Sequence, residues 1–128
     1  FWYQEGTDGV DFAHKDAFCW ISVIRVPDFV TRADFDWAVA EATRKKKQDF
    51  SAVEFLTVDE GLCVQMLHVG AYDDEPASVA RMDAFLAQNN CVNDFSAERM
   101  HHEIYLSDPR KTPPEKRKTV LRHPVKRV

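Results

Sequence analysis

The chain has no apolar run approaching the ~18 residues that would span a bilayer, so no membrane partner is expected. It has no CxxC pair. Its three cysteines, Cys19, Cys63 and Cys91, are odd in number, far apart and set in apolar surroundings. That pattern reads as free buried thiols in a reducing compartment, which points to the cytoplasm. There is no GxSxG, no P-loop and no GxGxxG, so nucleotide hydrolysis and dinucleotide binding have no support, and no cofactor is expected. Metal-ligand spacing is missing as well. His101, His102 and Glu103 are adjacent residues whose side chains would fall on opposite faces of a strand, and His14, His68 and His123 have no ligand spacing, so no metal site is expected. Positive charge is not in excess: 17 Lys and Arg against 21 Asp and Glu give a net charge of −4. With no helix-turn-helix and no basic face, nucleic acid is not an expected partner. The chain opens on Phe1-Trp2-Tyr3 rather than on methionine, with no charged leader, and is read as truncated or processed at this end.

What is present fits one soluble domain. The chain has 128 residues, of which 45% are hydrophobic, and a domain of that size buries roughly two-thirds of its unfolded surface. Residues 4–17 are polar, contain two glycines and read as a loop. The β-forming run Phe18–Val26 predicts a strand stopped by Pro27. Thr31 and Asp34 form a capping-box pattern. The helix that follows carries Phe35, Ala38, Val39 and Ala42 on one face and runs into Arg44-Lys45-Lys46-Lys47, a cationic last turn that complements the helix dipole. A short strand is expected at 53–57. Leu62–Tyr72 predicts a long strand, apolar on both faces and therefore central. Asp73-Asp74-Glu75-Pro76 starts a second helix with a stripe of Val79, Met82, Phe85 and Leu86. His101–Ser107 and Lys118–Val125 predict two further strands, separated by a basic loop with two prolines. The class is α+β, an antiparallel sheet with helices on one face.

The strand around Glu103 carries the most chemistry. Alternation puts His102, Ile104 and Leu106 on one side, which by its two aliphatic residues should meet the helices. His101, Glu103 and Tyr105 share the other side. A glutamate beside a tyrosine in mid-strand suits a half-open pocket that holds a cation or positions a water; the plainer reading of the pattern alone is a solvated outer sheet face. Aromatic residues crowd the other end of the chain: Phe1, Trp2, Tyr3, Phe12, Phe18 and Trp20. Phe18, Trp20 and Ser22 share one strand face, and these aromatics could line a cavity or fill a core. Aromatic faces attract cations by ~0.5 to 2 kcal/mol each.

Three stretches carry a resemblance to a known family. They are Ile24-Arg25-Val26-Pro27-Asp28-Phe29-Val30-Thr31, the run from Glu60 to Pro76, and His102-Glu103-Ile104-Tyr105-Leu106-Ser107-Asp108-Pro109-Arg110-Lys111-Thr112 with Pro114-Glu115-Lys116. Together they resemble the GyrI-like family, in particular its stand-alone cytoplasmic branch. The family is built from two strand–helix–strand–strand modules with a ligand cleft between them. The resemblance implies a single GyrI-like domain over 1–128: residues 1–26 as the end of a partial first module, 27–60 as connecting helix and linker, 61–128 as a complete second module. It implies binding of apolar or cationic compounds, as in the sensor domains of multidrug-responsive activators, with the ligand-facing acid at Glu103. One subfamily hydrolyses the cyclopropane ring of DNA-alkylating natural products within an aromatic cage, for self-protection.

Two functions follow as expectations. In the first, the chain binds a small xenobiotic through Trp2, Phe18, Trp20, His68, His101, Glu103 and Tyr105; an unpartnered buried Glu103 would have a raised pKa and would bind cations best once ionised. In the second it is a hydrolase, with Glu103 as general base or water-positioner and Tyr105 or His101 bonding a developing oxyanion. The apolar Phe1-Trp2-Tyr3 segment is expected to pair with the strand from Phe18 and to carry its aromatics toward Glu103. A partial module leaves an open sheet edge, so a homodimer is one expected way to cover it.

Overall fold

The computed structural model describes residues 1–7 and 9–128 and divides them into two compact units, residues 1–22 with 60–128, and residues 23–59. The smaller unit holds helix α1 (Arg32–Lys46). Its start is the capping box read from the sequence: the Asp34 amide donates to Thr31 Oγ1 at 3.3 Å, and the Thr31 amide donates to Asp34 Oδ2 at 2.8 Å. Phe35 stacks on Phe55 with ring centroids 5.3 Å apart. Residues 53–57, expected as a short strand, form none.

The larger unit carries the sheets. β1 (Trp2–Tyr3) pairs antiparallel with β2 (Cys19–Trp20), the pairing expected for these two segments. The expected strand Phe18–Val26 is cut to its first residues, because the ladder ends where the Ile21 amide donates to the Phe1 carbonyl. Among the described residues none pairs with residues 22–26, and residues 21–26 are all exposed. A strand without a partner has nothing to hold it extended.

The main sheet is antiparallel. It comprises β3 (Cys63–Val69), β4 (Cys91–Asn93), β5 (His102–Tyr105) and β6 (Lys118–Arg127). β6 is the hub: β3 pairs along one edge, while β5 and then β4 pair along the other. This corrects the reading of Leu62–Tyr72 as central. The central place goes to β6, whose Thr119, Leu121, His123, Pro124 and Val125 are buried, while β3 leaves Leu67 and Val69 half exposed. β4 was not anticipated, being only three residues long. Trp2 bridges to His101, so β1 continues the pairing beside β5.

Helix α2 (Glu75–Gln88) covers one face of this sheet. Its buried residues are Glu75, Ser78, Met82 and Leu86, a stripe at helical spacing. Phe85, placed on that stripe by the sequence, is mostly exposed. His68, on the same face of β3 as Met66, meets Ser78 of α2. The register opposes Glu103 to Leu121, which in turn opposes Met66, so Glu103 shares their face. The alternation along β5 is as read, but its side is reversed: His101, Glu103 and Tyr105 lie on the helix-covered face, and Ile104 and Leu106 on the other. Polarity misled here because a polar side chain can be buried at small cost when its neighbours satisfy it. Among the described residues no helix is long and apolar enough to cross a membrane.

Candidate functional site

Glu103 sits at the end of the covered face where the first turn of α2 arrives. Its two oxygens are both engaged. His101 Nε2 donates to Oε1 at 3.0 Å, and the Tyr105 hydroxyl donates to Oε2. Tyr105 in turn accepts from the Trp2 indole N–H at 3.1 Å. Behind His101, whose side chain is fully buried, His123 Nε2 lies 2.7 Å from His101 Nδ1. One hydrogen-bonded string therefore runs from Trp2 through Tyr105, Glu103 and His101 to His123, drawing on β1, β5 and β6.

The string has a partner that the sequence did not single out. Glu75, the first residue of α2, is 3% exposed, and its side chain lies within hydrogen-bonding reach of Glu103. Burial, and then the Glu103 charge, raise its pKa from 4.5 to about 8. Its Oε1 has no hydrogen-bond partner. Glu103 shifts the other way. Burial pushes it up, but the hydrogen bonds from His101 and Tyr105 outweigh that and hold it below the usual glutamate value. Burial and the bond to Glu103 raise the Tyr105 pKa, so its proton stays on the phenol. At neutral pH the pair is one carboxylate, Glu103, and one carboxylic acid, Glu75, side by side.

Aromatic rings adjoin the string at Trp2 and Tyr105. Trp2 and Phe18 lie 5.8 Å apart between centroids, Phe12 and Phe18 5.9 Å, and Tyr72 and Tyr105 5.7 Å. Trp2 also lines a separate cavity of about 310 Å³ with Tyr3, Gly6, Gly9, Phe95 and Met100; neither Glu75 nor Glu103 lines it, nor do Phe18 and Tyr105. Of the residues expected at the site, Trp2, His101, Glu103 and Tyr105 are thus linked by hydrogen bonds, and Phe18 packs against Trp2. Trp20 pairs with Trp2 in the ladder but is 63% exposed. His68 lies elsewhere on the covered face: it bonds Ser78 Oγ at 2.9 Å and the Ala71 carbonyl at 3.0 Å, fastening the turn that leads into α2. His102 lies on the opposite face, 2.8 Å from Glu60, which also takes Arg122. No group of three potential metal ligands occurs among the described residues.

The model of the family described as GyrI-like small molecule binding domain matches residues 17–126. The chain belongs to the GyrI-like family. Solved structures agree with this placement. An uncharacterized conserved protein from Listeria innocua is 48% identical with a TM-score of 0.91, and a hydrolase from the same organism is 44% identical with a TM-score of 0.85. Each alignment covers 98% of this chain but only 61% and 60% of the relative, so the chain spans about three-fifths of their length. No curated protein matches the sequence.

Proposed function

We propose that this GyrI-like chain holds an apolar or cationic organic molecule beside Trp2, Phe18 and Tyr105, and that Glu103 activates a water against it. The observation that carries this reading is the carboxyl pair. Two buried glutamates in contact, one ionised and one protonated at neutral pH, are a poor device for stability but a good one for moving a proton. A relative that is 44% identical over nearly the whole chain is named a hydrolase, which favours turnover over binding alone.

A suitable substrate is an activated cyclopropane, strained and conjugated to a carbonyl, of the kind found in DNA-alkylating natural products. Water oxygen forms a bond to a ring carbon. The ring C–C bond breaks, and its electron pair is taken up by the conjugated carbonyl as an oxyanion. The proton lost by water goes to Glu103 and returns through solvent to the oxyanion, so the sum is addition of one water. In this arrangement the donors of His101 and Tyr105 are both directed at Glu103, so they tune the base. Glu75, kept protonated, limits the pair to a single negative charge. Proton transfer by one positioned group is worth ~10² to 10⁴-fold. Detoxification in the cytoplasm is the role that fits this chemistry.

The test is incubation of the chain with an activated spirocyclopropane, with binding followed by Trp fluorescence and product by mass. The wild type should bind it and yield a product heavier by one water, while Glu103→Gln should bind without turnover. Binding with no hydration by the wild type would leave a binding module only, and absence of binding would end the reading altogether.

A further inference from the structure

We infer that His123 is a positioning residue for Glu103, acting by fixing which nitrogen of His101 carries the proton. The inference rests on the reading of Glu103 as the base. An ionised carboxylate only accepts, so His101 Nε2 must donate across the 3.0 Å contact to Glu103 Oε1. For His101 to keep that proton on Nε2, its Nδ1 needs a donor. His123 Nε2 is the atom there, at 2.7 Å.

His123 is 3% exposed, and its own Nδ1 has no partner. Only one arrangement avoids a stranded N–H. With the His123 proton on Nε2, every hydrogen in the chain points toward Glu103, and the orphan at the far end is a bare lone pair. With His101 as an imidazolium, both of its nitrogens would donate, and the His123 N–H would be driven onto the orphan side, buried with no acceptor. A stranded buried donor costs the desolvation of that group. Burial and the neighbouring His101 lower the His123 pKa to about 4, so it stays neutral and supplies a single proton. The ring of Phe95 packs edge-on against His123, with centroids 4.9 Å apart, and holds it in this orientation.

The titratable groups around Glu103 are few. His101 and Tyr105 come from its own strand, Glu75 from α2, and the Phe1 amine from the segment paired beside it. Lys15 and Asp73 act on it through Glu75. Behind Tyr105 stands the Trp2 indole N–H, and behind His101 stands His123, the one such neighbour that is itself titratable.

The experiment is NMR on the whole chain. Ring ¹⁵N shifts give the tautomers of His101 and His123, and the Glu103 side-chain ¹³C shift gives its titration midpoint. Neither readout depends on turnover, so they stand whether or not the hydrolase reading does. The wild type should show protons on Nε2 of both histidines. In His123→Met the donor to His101 is lost. The Glu103 midpoint should then rise, because His101 is no longer held to donating from Nε2; complete loss of that bond to the carboxylate would give about one to two pH units. His123→Gln, whose amide can donate from the position of Nε2, should return the midpoint to near the wild-type value. A proton on Nδ1 of His101 in the wild type overturns the proposal even if the Met variant does not fold, and so does an unmoved midpoint in a folded Met variant. If the midpoint moves as expected but no cyclopropane is hydrated, His123 positions Glu103 and the hydrolase reading alone has failed.

Discussion

Replacing Glu75 by Gln removes a titration while keeping the shape and the hydrogen bond. The Gln amide can donate to Glu103 as the protonated Glu75 does, so at pH 5 the variant should behave like the wild type. The two diverge as pH rises. Glu75 has a folded-state pKa of about 8 against an ordinary value of 4.5. Between these values the folded chain keeps a proton that the unfolded chain has released. Stability is therefore highest below 4.5 and falls as pH climbs toward 8. At ~1.36 kcal/mol per pH unit for one proton, the whole interval is worth at most about 5 kcal/mol. Because the pair shares its protons, about 2 to 5 kcal/mol is the expected range. Glu103 acts in the opposite window: its lowered pKa adds stability above 4.5 that is lost only as pH falls below that.

The assay is urea unfolding of wild type and Glu75→Gln at pH 5, 6.5, 8 and 9. The wild type should lose stability across this series, and the variant should stay nearly flat, ending more stable than the wild type. Turnover should follow the same logic: the wild-type alkaline limb near pH 8, where the pair gains its second charge, should be absent in Glu75→Gln. A stability difference that swings by less than about 0.5 kcal/mol from pH 5 to 9, the scale of an ordinary surface substitution, would falsify the assignment of Glu75 as the protonated member.

Other expectations are simpler to check. Glu103→Gln should weaken binding of a cationic dye by about 1 to 3 kcal/mol and leave a neutral analogue nearly unaffected, as measured by fluorescence titration; equal losses would mean that Glu103 acts through structure rather than charge. Leu121, fully buried between β3 and β5, should cost about 2 to 5 kcal/mol on truncation to Ala, read from the urea midpoint. The basic loop 111–118 should show no sub-micromolar DNA affinity at physiological salt, where non-specific binding is ~10⁻⁴ to 10⁻⁶ M; tighter binding in a gel-shift assay would overturn its reading as a solvated connection.

Much of the fold was legible because it is written locally. Thr31 and Asp34 announce α1, the acids with Pro76 announce α2, and alternation along His101–Leu106 separates two faces correctly. What failed depends on partners distant in sequence. The run Phe18–Val26 has the composition of a strand, yet only Cys19 and Trp20 find a ladder partner. The choice of β6 over β3 as the central strand turns on what lies beyond each edge, and composition does not contain that. Glu75 was in plain view as a helix-start acid, and that role hid it. Had the apolar stripe of α2 been continued back from Leu86 and Met82 at helical spacing, it would have reached Ser78 and Glu75. A carboxyl landing on the buried stripe is the signal that was available.

The two glutamates show why burial alone cannot assign an acid and a base. Burial raises both, and it is the largest single influence on each. The N-terminus of α2 should favour an ionised Glu75, by ~0.3 to 1 kcal/mol in ordinary cases, which is the wrong direction for what is seen. The donors decide the outcome. His101 and Tyr105 both aim hydrogens at Glu103, whereas Glu75 has one oxygen with no partner at all. Each such bond to a charged oxygen is worth about 1.5 to 3 kcal/mol, enough for two of them to overcome both the burial of Glu103 and the pull of the helix end on Glu75. Once Glu103 is ionised, its charge keeps the proton on Glu75, so the asymmetry reinforces itself. The donors that converge on Glu103, more than the position of either carboxyl, keep it the ionised member of the pair.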